Sequence, residues 1–308
     1  MEFRSFAKVN LGLEITGKRE NGYHELRTVF QTISLHDTIE IEENDSNSIS
    51  LSGNLDTIPW DESNTISRAF ELIYGKFGLN QGFDVRVTKR IPPGSGLGGG
   101  SSNAAVIIMF IIDYFNLDIS GSDLLELGLN IGADVPFFFS GGTMLGEGIG
   151  EILTAIATPV SSDIAVLMPG LIVSTHEIFS RINLTKKALK STMDSFLSSG
   201  DISTLNNELE FTTFKLFPEL ERIKMKMESL GLNHVSMSGT GSALFCFPAD
   251  AQKTVLKSVF PDIFIGELLD KQTYNNSIGA WPSGKASVFG ADIRRFESSR
   301  PRVKNDKK

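Results

Sequence analysis

The chain is poor in the residues that mark disulfide scaffolds and transition-metal sites. Its 308 residues hold one cysteine, Cys246, and four histidines. One cysteine excludes an intramolecular disulfide and fits a reducing compartment. No His/Cys cluster at metal-ligand spacing occurs, so a structural zinc site is not expected. Positive charge is also short: 29 Lys and Arg stand against 37 Asp and Glu, a net charge of −8. This argues against nucleic acid or an anionic membrane as a partner. Long apolar runs are missing. The most apolar, Val106 to Ile112, stops at Asp113 and is far too short to span a bilayer. The start, Met1 to Phe6, lacks the apolar core of a signal peptide. Together these absences predict a soluble, cytoplasmic protein.

Hydrophobic residues make up 41% of the chain, which supports a sizeable core in one large domain or two ordinary ones. The first forty residues read as β-structure, with strands over Phe6 to Ile15 and Val29 to Ile41. Asn44 to Asn54 is polar and reads as loop or edge hairpin. Thr65 to Phe77 carries a helical stripe, with Asn64 as its N-cap. Phe83 to Ile91 alternates as a half-buried strand. Ser101 to Phe115 and Ser122 to Ile131 read as helices, and Ile164 to Met168 as a short strand. Ser174 to Met227 is mostly helical in pattern, and Ala243 to Phe247 is strand-like. A β-rich start followed by helices and mixed elements predicts an α+β fold with two packed subdomains. The last 38 residues hold nine Lys/Arg and three Asp/Glu. Few apolar positions recur there, so 271–308 reads as a disordered, loosely attached or non-native tail.

The most informative segment is Gly94-Ser95-Gly96-Leu97-Gly98-Gly99-Gly100-Ser101-Ser102. Glycines permit positive φ and leave backbone N–H groups unobstructed. The segment opens a helix, whose N-terminal N–H groups and dipole attract phosphate. Ser101 and Ser102 are placed to cap that helix or to reach Mg²⁺. A Walker A loop requires Lys at the helix start, and no Lys follows Lys89 before the helix ends. The spacing of Gly94, Gly96 and Gly99 matches G-x-G-x-x-G. A dinucleotide fold, however, wants a fully buried strand ahead of it, and Arg86, Thr88 and Lys89 interrupt this one. A protein-kinase loop would lead into a strand, not an apolar helix.

Pro92 to Ala105 resembles the central motif of the GHMP kinases. Ala7-Lys8-Val9-Asn10-Leu11 resembles their first motif, and Ser236 to Ala243 their third. Arg19 to His24 and Gly132 to Phe137 are similar to a branch acting on a cytidine-diphosphate-linked methylerythritol. The resemblance covers about residues 4 to 270. It implies the two-domain GHMP kinase fold, with an N-terminal ribosomal-protein-S5-domain-2-like domain over 1–155. A C-terminal α/β sandwich domain over 156–270 would complete it, with the active site in the cleft between. It implies ATP as co-substrate, with Mg²⁺ only as its counter-ion, and a small-molecule substrate. It leaves monomer or homodimer open.

The resemblance assigns roles residue by residue. Asp134, which alone would be read as a turn or cap residue, becomes the acceptor of the substrate hydroxyl's proton. Lys8 becomes its partner, and Asn10, two residues along the strand, shares that face. Pro92, Pro93 and Gly94 to Ser102 become the ATP loop, with Asn64 and Lys89 near the adenosine. Tyr23 and His24 become the cytosine contacts, with Phe179 on the opposite face and Thr175 nearby. Gly239, Thr240 and Gly241 form a second small-residue loop facing substrate or γ-phosphate.

Overall fold

The computed structural model describes residues 1–158, 163–182, 191–232, 234–280 and 282. Strands β1 (Glu2–Lys18) and β2 (His24–Asn44) form a long antiparallel hairpin. Residues Ser5 to Ile15 of β1 are all buried. Alternation fails there because both faces of the strand are covered. Phe3 and Phe6 join a core shared with helices, whereas Ala7, Val9 and Leu11 join one shared with a second sheet. A register shift between Phe6 and Ala7 separates the two sets.

Next come β3 (Ile49–Gly53), α1 (Thr65–Phe77) and β4 (Gly82–Thr88), with β3 and β4 parallel. The Asn64 side chain accepts from the Ile66 N–H and starts α1, and Gly78 in the left-handed region ends it. α2 (Gly99–Tyr114) is buried on all sides from Ser102 to Asp113, which explains its nearly unbroken apolar sequence. α3 (Gly121–Ile131) and α4 (Val135–Phe138) pack beside it. β5 (Thr143–Gly148) and β6 (Ile152–Ala155) complete a six-stranded sheet. Its order is β3-β4-β2-β5-β6, with β1 paired to β2.

The second sheet is antiparallel, in the order β10-β7-β9-β8. Its strands are β7 (Asp163–Leu167), β8 (Ser236–Met237), β9 (Leu244–Cys246) and β10 (Phe264–Glu267). Helices α5 (Thr175–Ser180), α6 (Thr192–Ser199), α7 (Glu210–Leu216), α8 (Pro218–Glu228) and α9 (Asp250–Val259) surround it. Of the segment read as helical, residues 183–190 lie outside the described residues. The fold is therefore α+β, built on two sheets. No described helix is long and apolar enough to cross a membrane.

Two expectations need correction. Asn44 to Asn54, read as loop or edge hairpin, does hold an edge strand, but Ile49–Gly53 runs parallel to β4 and forms no hairpin. Its polar residues are those an edge tolerates. The tail does not begin at residue 271. Lys271–Ser277 is a helix, α10, started by the Asp270 side chain accepting from Thr273 N–H at 2.7 Å. Tyr274 is 1% exposed and Ile278 is buried beside it, one helical turn apart. The Tyr274 hydroxyl donates to the Phe138 carbonyl at 2.5 Å. Arg4 N–H donates to the Ile278 carbonyl at 2.6 Å. Two apolar side chains thus anchor a segment whose composition looked like tail. Lys271 is the one basic residue among 271–280, so the basic run starts later. Trp281 and residues 283–308 lie outside the described residues.

Candidate active site

A cavity of about 600 Å³ opens between the two sheets, walled by β1, the glycine loop, α4 and the Gly239–Thr240 turn. Lys8 and Asn10 point into it from the same face of β1. The Lys8 ammonium donates to Asn10 Oδ1 at 2.6 Å and lies 3.3 Å from Asp134 Oδ2. It also stands 5.4 Å from the Phe30 ring centre. The Lys8 side chain is 4% exposed and that of Asp134 33%, so the pair spans from wall to open cleft. Asn10 Nδ2 donates to the Thr28 hydroxyl at 2.8 Å, and Thr28 donates to the Gly12 carbonyl at 2.7 Å. That chain fixes which side of the Asn10 amide faces the lysine. Asp134 stands at the start of α4, where Pro136 shapes the first turn.

The glycine loop arches over this pair. Gly94, Gly96 and Gly98 have φ of +64°, +78° and +72°. Gly96 passes so close to the other small-residue loop that a Cβ would stand 2.1 Å from the Ser238 carbonyl oxygen. Gly98 is the N-cap of α2 and carries no capping side chain, which leaves first-turn N–H groups free for an anion. A Cβ on Gly98 would stand 3.1 Å from Lys8 Cγ, so the helix start sits directly on the lysine stem. The two loops are joined: Ser238 donates to Gly96 O at 2.9 Å, and Ala243 N–H donates to Ser95 O at 3.0 Å.

The cavity gathers Lys8, Asn10, Asn64, Lys89, Pro92, Pro93, Gly94, Ser95, Gly96, Gly98, Gly99, Gly100, Ser101, Asp134, Thr175, Phe179, Gly239 and Thr240. Leu97, Ser102, Tyr23, His24 and Gly241 do not line it. Leu97 is fully buried in the core between the sheets. Ser102 is turned inward and accepts a hydrogen bond from Ser5 at 2.7 Å, so it neither caps α2 nor faces the cleft. Tyr23 is 61% exposed on the turn before β2. His24 is buried, its ring 5.5 Å from that of Phe179 and tilted by 35°. Burial, helped by the nearby Lys18 charge, holds the His24 imidazole below its ordinary value. Gly241 lies behind Thr240, against Met237 and Thr213. Lys89 reaches the cavity wall, but its ammonium is spoken for by Asp37 and Asn103.

The sequence reading missed Thr28, Phe30 and Trp60, which also line the cavity. Trp60 sits in the loop before α1, and its indole N–H donates to Leu55 O at 3.0 Å. It missed Asn207 too. That side chain, 4% exposed, donates to Met237 O and Gly239 O, both at 2.7 Å, and so sets the Gly239–Thr240 turn. No spacing signal marks these residues; Thr28 and Asn207 act through contacts distant in sequence. Among the described residues no three His, Cys, Asp or Glu side chains stand together as a metal cluster.

Comparison with known proteins agrees with this arrangement. Residues 64–142 match the model of the GHMP kinases N terminal domain, and 185–262 that of the GHMP kinases C terminal domain. A 4-diphosphocytidyl-2-C-methyl-D-erythritol kinase of Clostridium beijerinckii is 36% identical over 277 residues, covering 86% of this chain and 99% of that protein. One of Caldicellulosiruptor saccharolyticus is 34% identical, covering 90% of this chain and 98% of that protein. A crystal structure of 4-(cytidine 5'-diphospho)-2C-methyl-D-erythritol kinase superposes with a TM-score of 0.74 at 34% identity, covering 87% of this chain and 99% of that one. Homoserine kinase from Cytophaga hutchinsonii shares the fold, with a TM-score of 0.67 at 18% identity over 88% of this chain and 96% of its own. The chain belongs to the GHMP kinase family, among the 4-diphosphocytidyl-2-C-methyl-D-erythritol kinases.

Proposed function

We propose that this chain transfers the γ-phosphoryl group of ATP to the 2-hydroxyl of 4-(cytidine 5'-diphospho)-2-C-methyl-D-erythritol. The products are the 2-phosphate and ADP, a step of the non-mevalonate route to isoprenoid precursors. The observation that carries this reading is the Lys8–Asp134 pair, 3.3 Å apart and roofed by the uncapped start of α2 within one cavity. Phosphoryl transfer asks a protein mainly to position the reactants and to stabilise charge.

The substrate oxygen attacks the γ-phosphorus, and the bond from that phosphorus to the β,γ-bridging oxygen breaks. The hydroxyl proton passes to the Asp134 carboxylate. The Lys8 ammonium orients the Asp134 carboxylate and faces the charge that grows on the attacking oxygen. Backbone N–H groups of Gly98 to Ser101 take the departing phosphate charge. An Mg²⁺ ion brought with ATP would neutralise part of that charge, and Ser101 and Asp134, both facing the cleft, would be among its oxygen donors. Asn10, Thr175 and Thr240 serve the methylerythritol and diphosphate portion, and Phe179, backed by the His24 ring, the cytosine. ATP chemistry beside a single, fully buried cysteine suits a reducing cytoplasm.

The test is ADP release with a panel of acceptors: the cytidine-diphosphate compound, mevalonate, homoserine and galactose. Turnover is expected with the first alone. Asp134→Asn should lower kcat by about 10²–10⁴ while leaving affinity for the cytidine compound nearly intact. Turnover with another acceptor and none with the first would overturn the substrate. Full activity of Asp134→Asn would overturn the proton acceptor.

A further inference from the structure

Asp37 is fully buried, lies on β2 opposite Ser5, and has no part in the chemistry above. Its Oδ1 accepts from the N–H groups of Arg90 and Ile91 at 2.7 and 2.8 Å. Its Oδ2 accepts from Asn103 Nδ2 at 3.1 Å and from the Lys89 ammonium. Arg90 and Ile91 immediately precede Pro92, and Asn103 immediately follows Ser102. One carboxylate therefore grips both ends of the segment Pro92–Ser102. Asn103 strengthens the far end: its Oδ1 accepts from Lys89 at 2.9 Å, and its Nδ2 donates to Ser5 at 2.8 Å.

From this geometry we infer that Asp37 is a positioning residue for nucleotide: it clamps the two ends of the glycine loop and so holds the loop shaped before ATP arrives. The inference rests on the reading of that loop as the ATP site. The physical reason is entropic. Five glycines between 94 and 100 give the free loop more backbone freedom than an ordinary loop of its length has. Closing such a loop at its ends before binding removes that cost from the binding step. A carboxylate suits the task. It accepts several donors at once, and the Lys89 ammonium neutralises it where water does not reach. This also gives Lys89 a role other than nucleotide contact. A Cβ on Gly99 would stand 3.1 Å from its Nζ, so the ammonium lies against the loop backbone from beneath.

The residues placed around the cytidine compound lie away from the clamp: on β1, at the opposite end of β2 from Asp37, on α5 and in the Gly239–Thr240 turn. Loss of the clamp should therefore act on one substrate only. The experiment uses the full chain with Asp37→Asn, Asn103→Ala and the double variant Asp37→Asn/Lys89→Gln. The measurements are KM for ATP, KM for the cytidine compound, kcat, and ATP affinity by calorimetry. In Asp37→Asn an NH₂ group faces the Lys89 ammonium, which breaks the clamp. KM for ATP is expected to rise at least tenfold, with KM for the cytidine compound within twofold. The double variant, neutral throughout, should recover most of the ATP affinity. Asn103→Ala releases only the α2 end and should show the same one-sided effect. It decides the matter if Asp37→Asn fails to fold. Unchanged ATP affinity in folded variants, or equal rises in both KM values, would overturn the clamp and leave the kinase reading standing. A parent protein that binds no ATP would overturn both.

Discussion

Replacing Gly96 with Ala tests whether the meeting of the two small-residue loops builds the site. Gly96 has φ +78°, where an L-residue costs about 1–2 kcal/mol. The new methyl would stand 2.1 Å from the Ser238 carbonyl oxygen and 3.1 Å from that of Gly241. Both obstacles are backbone, so relief requires the loops to separate by more than 1 Å, an estimate from ordinary non-bonded contact distances. Two hydrogen bonds cross that gap, Ser238 Oγ to Gly96 O and Ala243 N–H to Ser95 O. Each contributes about 0.5–1.5 kcal/mol net. The expected loss is about 2–5 kcal/mol, or roughly 3–8 °C in melting temperature for a chain of this size. KM for ATP should rise with it, because the displaced loop carries the anion-facing N–H groups. Gly100→Ala is the comparison. Gly100 lies in the first turn of α2, and its nearest neighbour would be the Thr65 hydroxyl at 3.4 Å. Alanine is a better helix former by up to about 1 kcal/mol, so this variant should melt at or above the parent temperature. Thermal scanning with an ATP titration reads both. A Gly96→Ala protein that melts with Gly100→Ala and keeps its ATP KM would refute the argument.

Three further outcomes follow from the same geometry. Asn207→Ala leaves the Met237 and Gly239 carbonyls without their donor, so urea denaturation should show a loss of about 2–4 kcal/mol. KM for the cytidine compound should rise more than KM for ATP, since Gly239 and Thr240 lie on the acceptor side. The folded His24 value lies below its ordinary 6.5, so in acid the unfolded chain takes up the proton first. Stability from this group is therefore full above about pH 6.5 and falls as pH drops toward the folded value; a His24→Gln variant should flatten that part of a melting-temperature profile. Tyr274→Phe removes only the bond to Phe138 O and should cost about 1 kcal/mol, whereas Tyr274→Ala empties a fully buried site and should cost about 3–5 kcal/mol by chemical denaturation.

Local signals carried β1, β2 and β4 of the first sheet, while β5 and β6 went unread. Thr65–Phe77 was legible to its last residue because Asn64 caps it and its stripe is clean. The glycine loop was legible as a loop that opens a helix because its composition and the following helix act locally. β3 was not, since an edge strand with polar residues resembles a turn when its partner is unseen. α10 was hidden for a related reason: Tyr274 and Ile278 are the only strong marks, and their partners, Phe138 and Arg4, lie more than 130 residues away. The site divides similarly. Lys8, Asn10 and Asp134 come together as expected. Leu97 and Ser102 belong to the glycine motif, yet within it they are the residues facing the core. A motif names a segment, and helix and loop periodicity decides which of its side chains point at the ligand.

The buried polar residues around the cleft carry the alignment that the reaction needs. Asn10 is held by Thr28, which is held in turn by the backbone at Gly12. Gly12 itself is hemmed in by Leu205 and the Asn206 carbonyl, where a Cβ would stand 2.8 and 3.2 Å from its neighbours. Leu13 exchanges backbone bonds with Asn206 and Glu208, and Glu208 also accepts from Ile15 N–H at 2.7 Å. The segment that docks on β1 in this way also carries Asn207, which fixes the Gly239–Thr240 turn. Hence the lysine's partner on one sheet and the substrate-facing turn on the other are set by a single stretch of backbone. A sub-ångström shift of that stretch moves both toward or away from Asp134. Catalysis by positioning is most sensitive to such displacement. Among the described residues, 206–208 is thus the place where a substitution that touches no substrate should still lower kcat.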